Sequence, residues 1–128
     1  MIEGTGIDLV EIQRFSKWHT YRSRLQKVFS QAEINYCLKN QTLSAARFAT
    51  RFAAKEAFYK AISRHLVRPT LFQAVSKHCE VAMVTGCPTL QIEWAKLQHT
   101  LKGEPKVHLS LTHTKTTAAA VVILETVK

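Results

Sequence analysis

Glu56 and Lys60 stand four residues apart in the run Arg51-Phe-Ala-Ala-Lys-Glu-Ala-Phe-Tyr-Lys60. On a helix that spacing puts a carboxylate and an ammonium on one face, where an exposed pair contributes about 0.3 kcal/mol. The flanking Phe52, Ala53, Ala54, Ala57 and Phe58 are apolar, and on a buried turn the same two groups suit a divalent metal at Glu56 and a phosphate at Lys60. Both readings stay open on these residues alone. Asp8 closes an otherwise apolar stretch, where a carboxylate must be solvated, paired or bound to a cation, or else cap a helix that begins at Leu9 or Val10. A third group lies in residues 107–115: Ser110, Thr112 and Thr114 offer hydroxyls, His113 an imidazole and Lys115 a cation. Such a set fits phosphate oxygens or a plain polar hairpin tip. No Ser-His-Asp or Cys-His order stands out, and no P-loop is present.

These groups need elements to hold them. Residues 1–10 read as a strand in which Gly4 and Gly6 signal a close backbone approach or a local distortion. Ile12, Phe15, Trp18 and then Tyr21 or Leu25 recur at helical spacing. Ser30-Gln-Ala-Glu33 is a capping box that starts a helix before Ile34. Ser44 is placed to cap a longer helix running to about Ile62, with Phe48, Phe52, Ala53, Ala57 and Ala61 as its buried stripe. Residues 71–75 and 79–84 are strand-like, 85–88 form a turn, and 89–92 resume the strand. A short helix is expected over 93–101. Residues 107–112 alternate as a half-buried strand, and 117–125 form an apolar strand joined to it by a hairpin at 113–116. Helices early and strands late give an α+β class, with a largely antiparallel sheet packed with a long helix.

The 128 residues suit one domain spanning 1–128, and 46% hydrophobic content supports a real core. The longest aliphatic run, 118–124, falls far short of the ~18 residues a membrane helix needs. Glu3 and Asp8, with no basic flank, make the amino terminus unlike a secretory signal. Three dispersed cysteines without a CxxC pair point away from a disulfide framework or zinc site and toward a reducing cytoplasm. The net charge is +9, and all seven arginines fall in residues 1–68. That field favours a polyanion: nucleic acid, a phosphorylated small molecule or an acidic protein.

Taken in order, the pieces resemble the holo-acyl-carrier-protein synthases, a family of 4′-phosphopantetheinyl transferases. The matching elements are Gly6-Ile-Asp-Leu-Val-Glu-Ile with Arg14, then Arg51-Phe-Ala-Ala-Lys-Glu-Ala-Phe-Tyr-Lys-Ala61, then His108-Leu-Ser-Leu-Thr-His113. Phe29-Ser-Gln-Ala-Glu33 is similar to the family's Phe-Thr-x-x-Glu, and Gly86-Cys-Pro88 to its Gly-x-Pro hairpin. The resemblance implies that phosphopantetheine is transferred from coenzyme A to a serine of apo acyl carrier protein, releasing adenosine 3′,5′-bisphosphate, in support of fatty acid biosynthesis. It makes Asp8 and Glu56 catalytic residues that hold Mg²⁺ on the coenzyme pyrophosphate. It places Lys60, Ser110, His113 and Lys55 at coenzyme A. It also implies a cytoplasmic homotrimer with active sites between subunits. Arg14, Arg22 and Arg24 would dock the acidic carrier protein, with Trp18, Tyr21 and Leu25 as apolar anchors.

One departure stands out. The family follows its Lys-Glu-Ala helix with Gly-Thr-Gly, whereas residues 62–69 here contain no glycine, and Arg64 or Arg68 are left to make that approach to the coenzyme. Two other readings accommodate part of the sequence. A small basic nucleic-acid-binding domain explains the charge but not the placement of Asp8 and Glu56. A catalytically inactive carrier-protein or nucleotide-binding relative would explain the missing glycines.

Overall fold

Helix α3 (Ser44–Ile62) lies across one face of a three-stranded antiparallel sheet in the computed structural model, which describes residues 1–127. The sheet runs β1 (Ile2–Glu11), β5 (Thr117–Glu125), β4 (Lys106–His113), with β5 in the middle. Ala53, Ala57 and Ala61 are fully buried on the face of α3 that meets the sheet. Two glycines of β1 let the backbones come that close. A Cβ at Gly6 would stand 1.8 Å from the Ala57 carbonyl oxygen, and one at Gly4 would stand 2.2 Å from that of Ala61. The close approach expected from these glycines is therefore real, and it seats the first half of β1 against the last turns of α3.

Strand alternation then sorts the side chains. Val10, Ala118, Ala120, Val122 and Leu124 point at α3 and are buried. Ile7 and Leu9 point the other way and are 68% and 71% exposed. The register puts Val121 and Ala119 beside them, followed by Ser110 and Thr112 of β4. Among the described residues, no element covers this second, largely apolar face.

Three short helices and a hairpin complete the chain: α1 (Arg22–Val28), α2 (Gln31–Leu38), α4 (Phe72–Ser76), and β2 (Cys79–Val84) paired with β3 (Cys87–Ile92). The capping box of α2 is formed as expected, Ser30 and Glu33 each accepting the other's backbone N–H. Several local expectations are corrected. Residues 12–20 form two 3-10 turns before α1 begins, because Ile12, Phe15, Trp18 and Tyr21 repeat every three residues, which is the 3-10 period. Residues 72–76 are helical where a strand was expected: Val75 and Ser76 turn inward while Leu71 stays 81% exposed. The helix expected over 93–101 shrinks to a 3-10 turn at Trp94–Lys96, since Gln98 and Thr100 bond instead to Val67 and His65. Leu43 rather than Ser44 is the N-cap of α3, and no side chain caps it. No helix among the described residues is long and apolar enough to cross a membrane.

Candidate active site

The close seating of β1 on α3 brings three of the sequence's candidates together. The Lys60 ammonium lies 3.2 Å from Oδ1 of Asp8 and donates to the Ile7 carbonyl at 3.0 Å. One helical turn earlier, Glu56 is half-buried, and its carboxyl is pushed up, first by burial and then by the Asp8 carboxylate; Lys60 and Arg14 oppose that rise. Two carboxylates crowded together and only partly compensated make a site that gains from a cation. The donor set is all oxygen, and no third His, Cys, Asp or Glu joins it among the described residues. That chemistry suits a hard divalent ion that keeps several waters and completes its shell with phosphate oxygens.

Glu56 opens onto a cleft of about 510 Å³ shared with Arg14, Arg24, Lys27 and Trp18. The Arg14 guanidinium sits 4.7 Å from the centre of the Phe52 ring, and that of Arg24 lies 5.0 Å from the centre of the Tyr21 ring. Both are held over aromatic faces rather than by carboxylates, which leaves their donors free for an incoming anion. Arg22 is exposed on the first turn of α1. The expected apolar anchors need correction: Leu25 is fully buried, and Trp18 packs against Phe15 at 4.6 Å between ring centres. Of the three, only Tyr21, at 44% exposure, faces outward.

The remaining candidates lie elsewhere. Ser110 is on the opposite face of the sheet from the buried residues of β5, its register partner being Val121. His113 lies at the end of β4, on the other flank of α3. There it shares a cavity of about 310 Å³ with Arg47, Arg51 and Tyr36. Both guanidinium carbons stand 4.3 Å from the Tyr36 ring centre. Arg51 is 5% exposed and its Nε has no partner. None of the ion pairs found among the described residues involves either arginine. A desolvated guanidinium without a counter-ion is prepared for an anion. Sequence reading gave Arg47 and Arg51 no role, Arg51 entering only as part of the matching segment; the signal that could have found them is their i, i+4 spacing one turn before the Glu56 turn.

Lys55 is not available to a ligand. It is 1% exposed, and its ammonium is taken by Glu33 at 2.7 Å and by the carbonyls of Val28 at 2.7 Å and Ser76 at 3.2 Å. Arg64 and Arg68 are exposed on a segment pinned by Tyr59, which donates to the Thr70 carbonyl at 2.6 Å, and by a 2.6 Å contact between His65 Nε2 and the Glu3 carbonyl. Burial pushes the thiols of Cys37 and Cys79 up to about 12, so neither supplies a thiolate.

Residues 4–122 match the family model of the 4′-phosphopantetheinyl transferase superfamily. The holo-acyl-carrier-protein synthase of Treponema denticola is 45% identical over 127 residues, covering 98% of this chain and 99% of that protein. The one from Syntrophus aciditrophicus is 40% identical, covering 100% and 99%. Among solved structures, a holo-acyl-carrier-protein synthase from Bacillus anthracis in complex with CoA (3′,5′-ADP) superposes with a TM-score of 0.73 at 30% identity, covering 99% of each chain. The Chronobacterium ammoniagenes ACPS–CoA complex gives 0.75 at 29% identity, covering 98% of each.

Proposed function

The chain belongs to the 4′-phosphopantetheinyl transferase superfamily, and we propose that the meeting of Asp8 and Glu56 is where its reaction takes place. The activity is that of a holo-acyl-carrier-protein synthase: phosphopantetheine is transferred from coenzyme A to acyl carrier protein, in support of fatty acid biosynthesis. The observation that carries the site is the crowded carboxylate pair under a lysine, at the mouth of a cleft rimmed by arginines.

Asp8 and Glu56 hold Mg²⁺, which when bound neutralises charge on the coenzyme pyrophosphate. Lys60 adds a cation beside Asp8 and binds a phosphate oxygen of the coenzyme. An acceptor serine hydroxyl of the carrier attacks the phosphorus that bears pantetheine. Its proton passes to a base, and adenosine 3′,5′-bisphosphate leaves as the pyrophosphate P–O bond breaks. Arg14, Arg24 and the adjacent Arg22 orient the acidic carrier at the cleft. The site works in the cytoplasm.

The nucleotide end of coenzyme A belongs to His113 and Ser110, joined by Arg47 and Arg51. In one chain these groups are cut off from Asp8: Ser110 by the thickness of the sheet, His113 by the width of α3. A homotrimer whose active sites lie between subunits reunites them. The uncovered face bearing Ile7 and Leu9 supports this reading, because apolar area of that kind is normally buried against a partner.

The test is intact-mass analysis of apo acyl carrier protein after incubation with the protein, coenzyme A and Mg²⁺, with EDTA in a parallel sample. One added phosphopantetheine, absent with EDTA, is the expected result. Transfer that persists in EDTA would remove the metal from Asp8 and Glu56.

A further inference from the structure

Lys55 and Glu56 are consecutive on α3 and face in different directions, and the structure gives Lys55 a task of its own. Its ammonium has three donors and three acceptors: Glu33 Oε1 at 2.7 Å, the Val28 carbonyl at 2.7 Å and the Ser76 carbonyl at 3.2 Å. Val28 is the last residue of α1 and Ser76 the last of α4, so both carbonyls are helix-end acceptors with no intrahelical donor. Glu33, 1% exposed, spends its other capacity on the Ser30 and Val81 backbone N–H groups, each at 2.8 Å. One buried ammonium thus ties the ends of α1 and α4, the start of α2 and strand β2 to a single point of α3.

Those tied elements include the walls of the cleft in front of Glu56. Helix α1 carries Arg24, Lys27 and Val28, and α4 carries Phe72 and Gln73. We infer that Lys55 is a positioning residue, fixing both walls, and with them Arg22 and Arg24 of α1, at a set distance from Glu56. The inference rests on the proposed docking of carrier protein at this cleft. A buried charge pair is a weak source of net stability but a strict one in geometry: removing one partner leaves the other uncompensated, whereas removing both is often tolerated.

The test follows from that asymmetry. Lys55→Met alone leaves the Glu33 carboxylate unpaired and can fail to fold, so the informative protein is Lys55→Met/Glu33→Gln, which removes both charges and keeps an acceptor at position 33. Its folding is checked by circular dichroism and thermal melting. Amide hydrogen exchange is then read over residues 22–33 and 72–81, and KM is measured for each substrate. Expected are faster exchange in both segments, an unchanged KM for coenzyme A, and a KM for carrier protein raised about tenfold. Exchange unchanged from the wild type overturns the inference, and so does a rise shared equally by both KM values. Arg14→Ala serves as the reference for docking itself. If it leaves the carrier KM unchanged the docking surface is wrong, while the exchange data still decide whether Lys55 holds the walls.

Discussion

The two flanks of α3 carry opposite chemistry. On the β1 side, Asp8 and Glu56 crowd their negative charges and only Lys60 and Arg14 offset them. On the β4 side, Arg47 and Arg51 clasp Tyr36 beside His113 with no carboxylate partner among the described residues, and Arg51 keeps a buried Nε unbonded. The β4 flank holds guanidiniums without a counter-ion and the β1 flank a carboxylate pair only partly offset, and the helix between them keeps the two apart. A pyrophosphate ester with a bound cation supplies what both flanks lack, a cation for one and anionic oxygens for the other, provided that the flanks belong to different copies. Under the proposed inter-subunit site, each chain contributes two half-sites carried on one helix, and the bare sheet face is the surface proposed to join them.

Mixing variants breaks or sharpens that comparison most strongly. Glu56→Ala is expected to lower turnover about a thousandfold, by loss of charge stabilisation at the phosphate. Arg51→Met, or the exposed His113→Ala, should lower kcat/KM for coenzyme A roughly ten- to a hundredfold, as a charged hydrogen bond is lost. Each damages a different half-site. If the halves come from different copies, co-refolding equal amounts of the Glu56 and Arg51 variants restores about a quarter of the sites, because a heterologous ring pairs the intact halves of unlike chains. Activity in the mixture no greater than the average of the two variants would place each complete site within one chain.

How much of this the sequence shows depends on the range of the interaction. The strands at 79–84 and 117–125, the capping box and the close approach at Gly4 and Gly6 are local signals, and the structure contains them all. The pairing of Asp8 with Lys60 spans 52 residues, yet both ends lie in recognisable motifs. Lys55 was misread for a physical reason. Its neighbours advertise a site, but a helix turns about 100° per residue and sends adjacent side chains to different surroundings. Phe72 and Val75 carry strand-forming side chains and fold as a helix, because inward packing of Val75 and Ser76 outweighs propensity. The i, i+4 spacing of Arg47 and Arg51 is legible in the sequence, but their lack of a counter-ion is visible only in three dimensions.

A smaller effect tests whether the β1 flank also receives the carrier. Arg24 lines the Glu56 cleft with its guanidinium over Tyr21, whereas Arg47 and Arg51 line the separate cavity beside His113. Arg24→Glu is expected to raise KM for acyl carrier protein about tenfold and leave that for coenzyme A unchanged. The difference from wild type should shrink as salt is added, because exposed charges are screened. An equal rise in both KM values would show that the flanks are not specialised.

The smallest expected effect concerns stability. A carboxyl whose proton is held more tightly in the folded chain costs stability once it ionises, so stability falls as pH rises from the ordinary glutamate value of 4.5 through the raised value of Glu56. At neutral pH without a divalent ion, the folded protein therefore carries that cost, and Glu56→Gln removes it. Calorimetry in EDTA at pH 7 should show the variant melting above the wild type, and the advantage should fade at pH 4, where the wild-type carboxyl keeps its proton. Excess Mg²⁺ should narrow the gap from the other side by stabilising the wild type alone. A gain that persists unchanged at pH 4 would trace it to packing rather than charge. Equal stabilisation of both proteins by Mg²⁺ would take Glu56 out of the metal site. The strain at this flank and its function share one origin: a carboxylate pair that folding alone leaves unsatisfied is one that a bound cation stabilises.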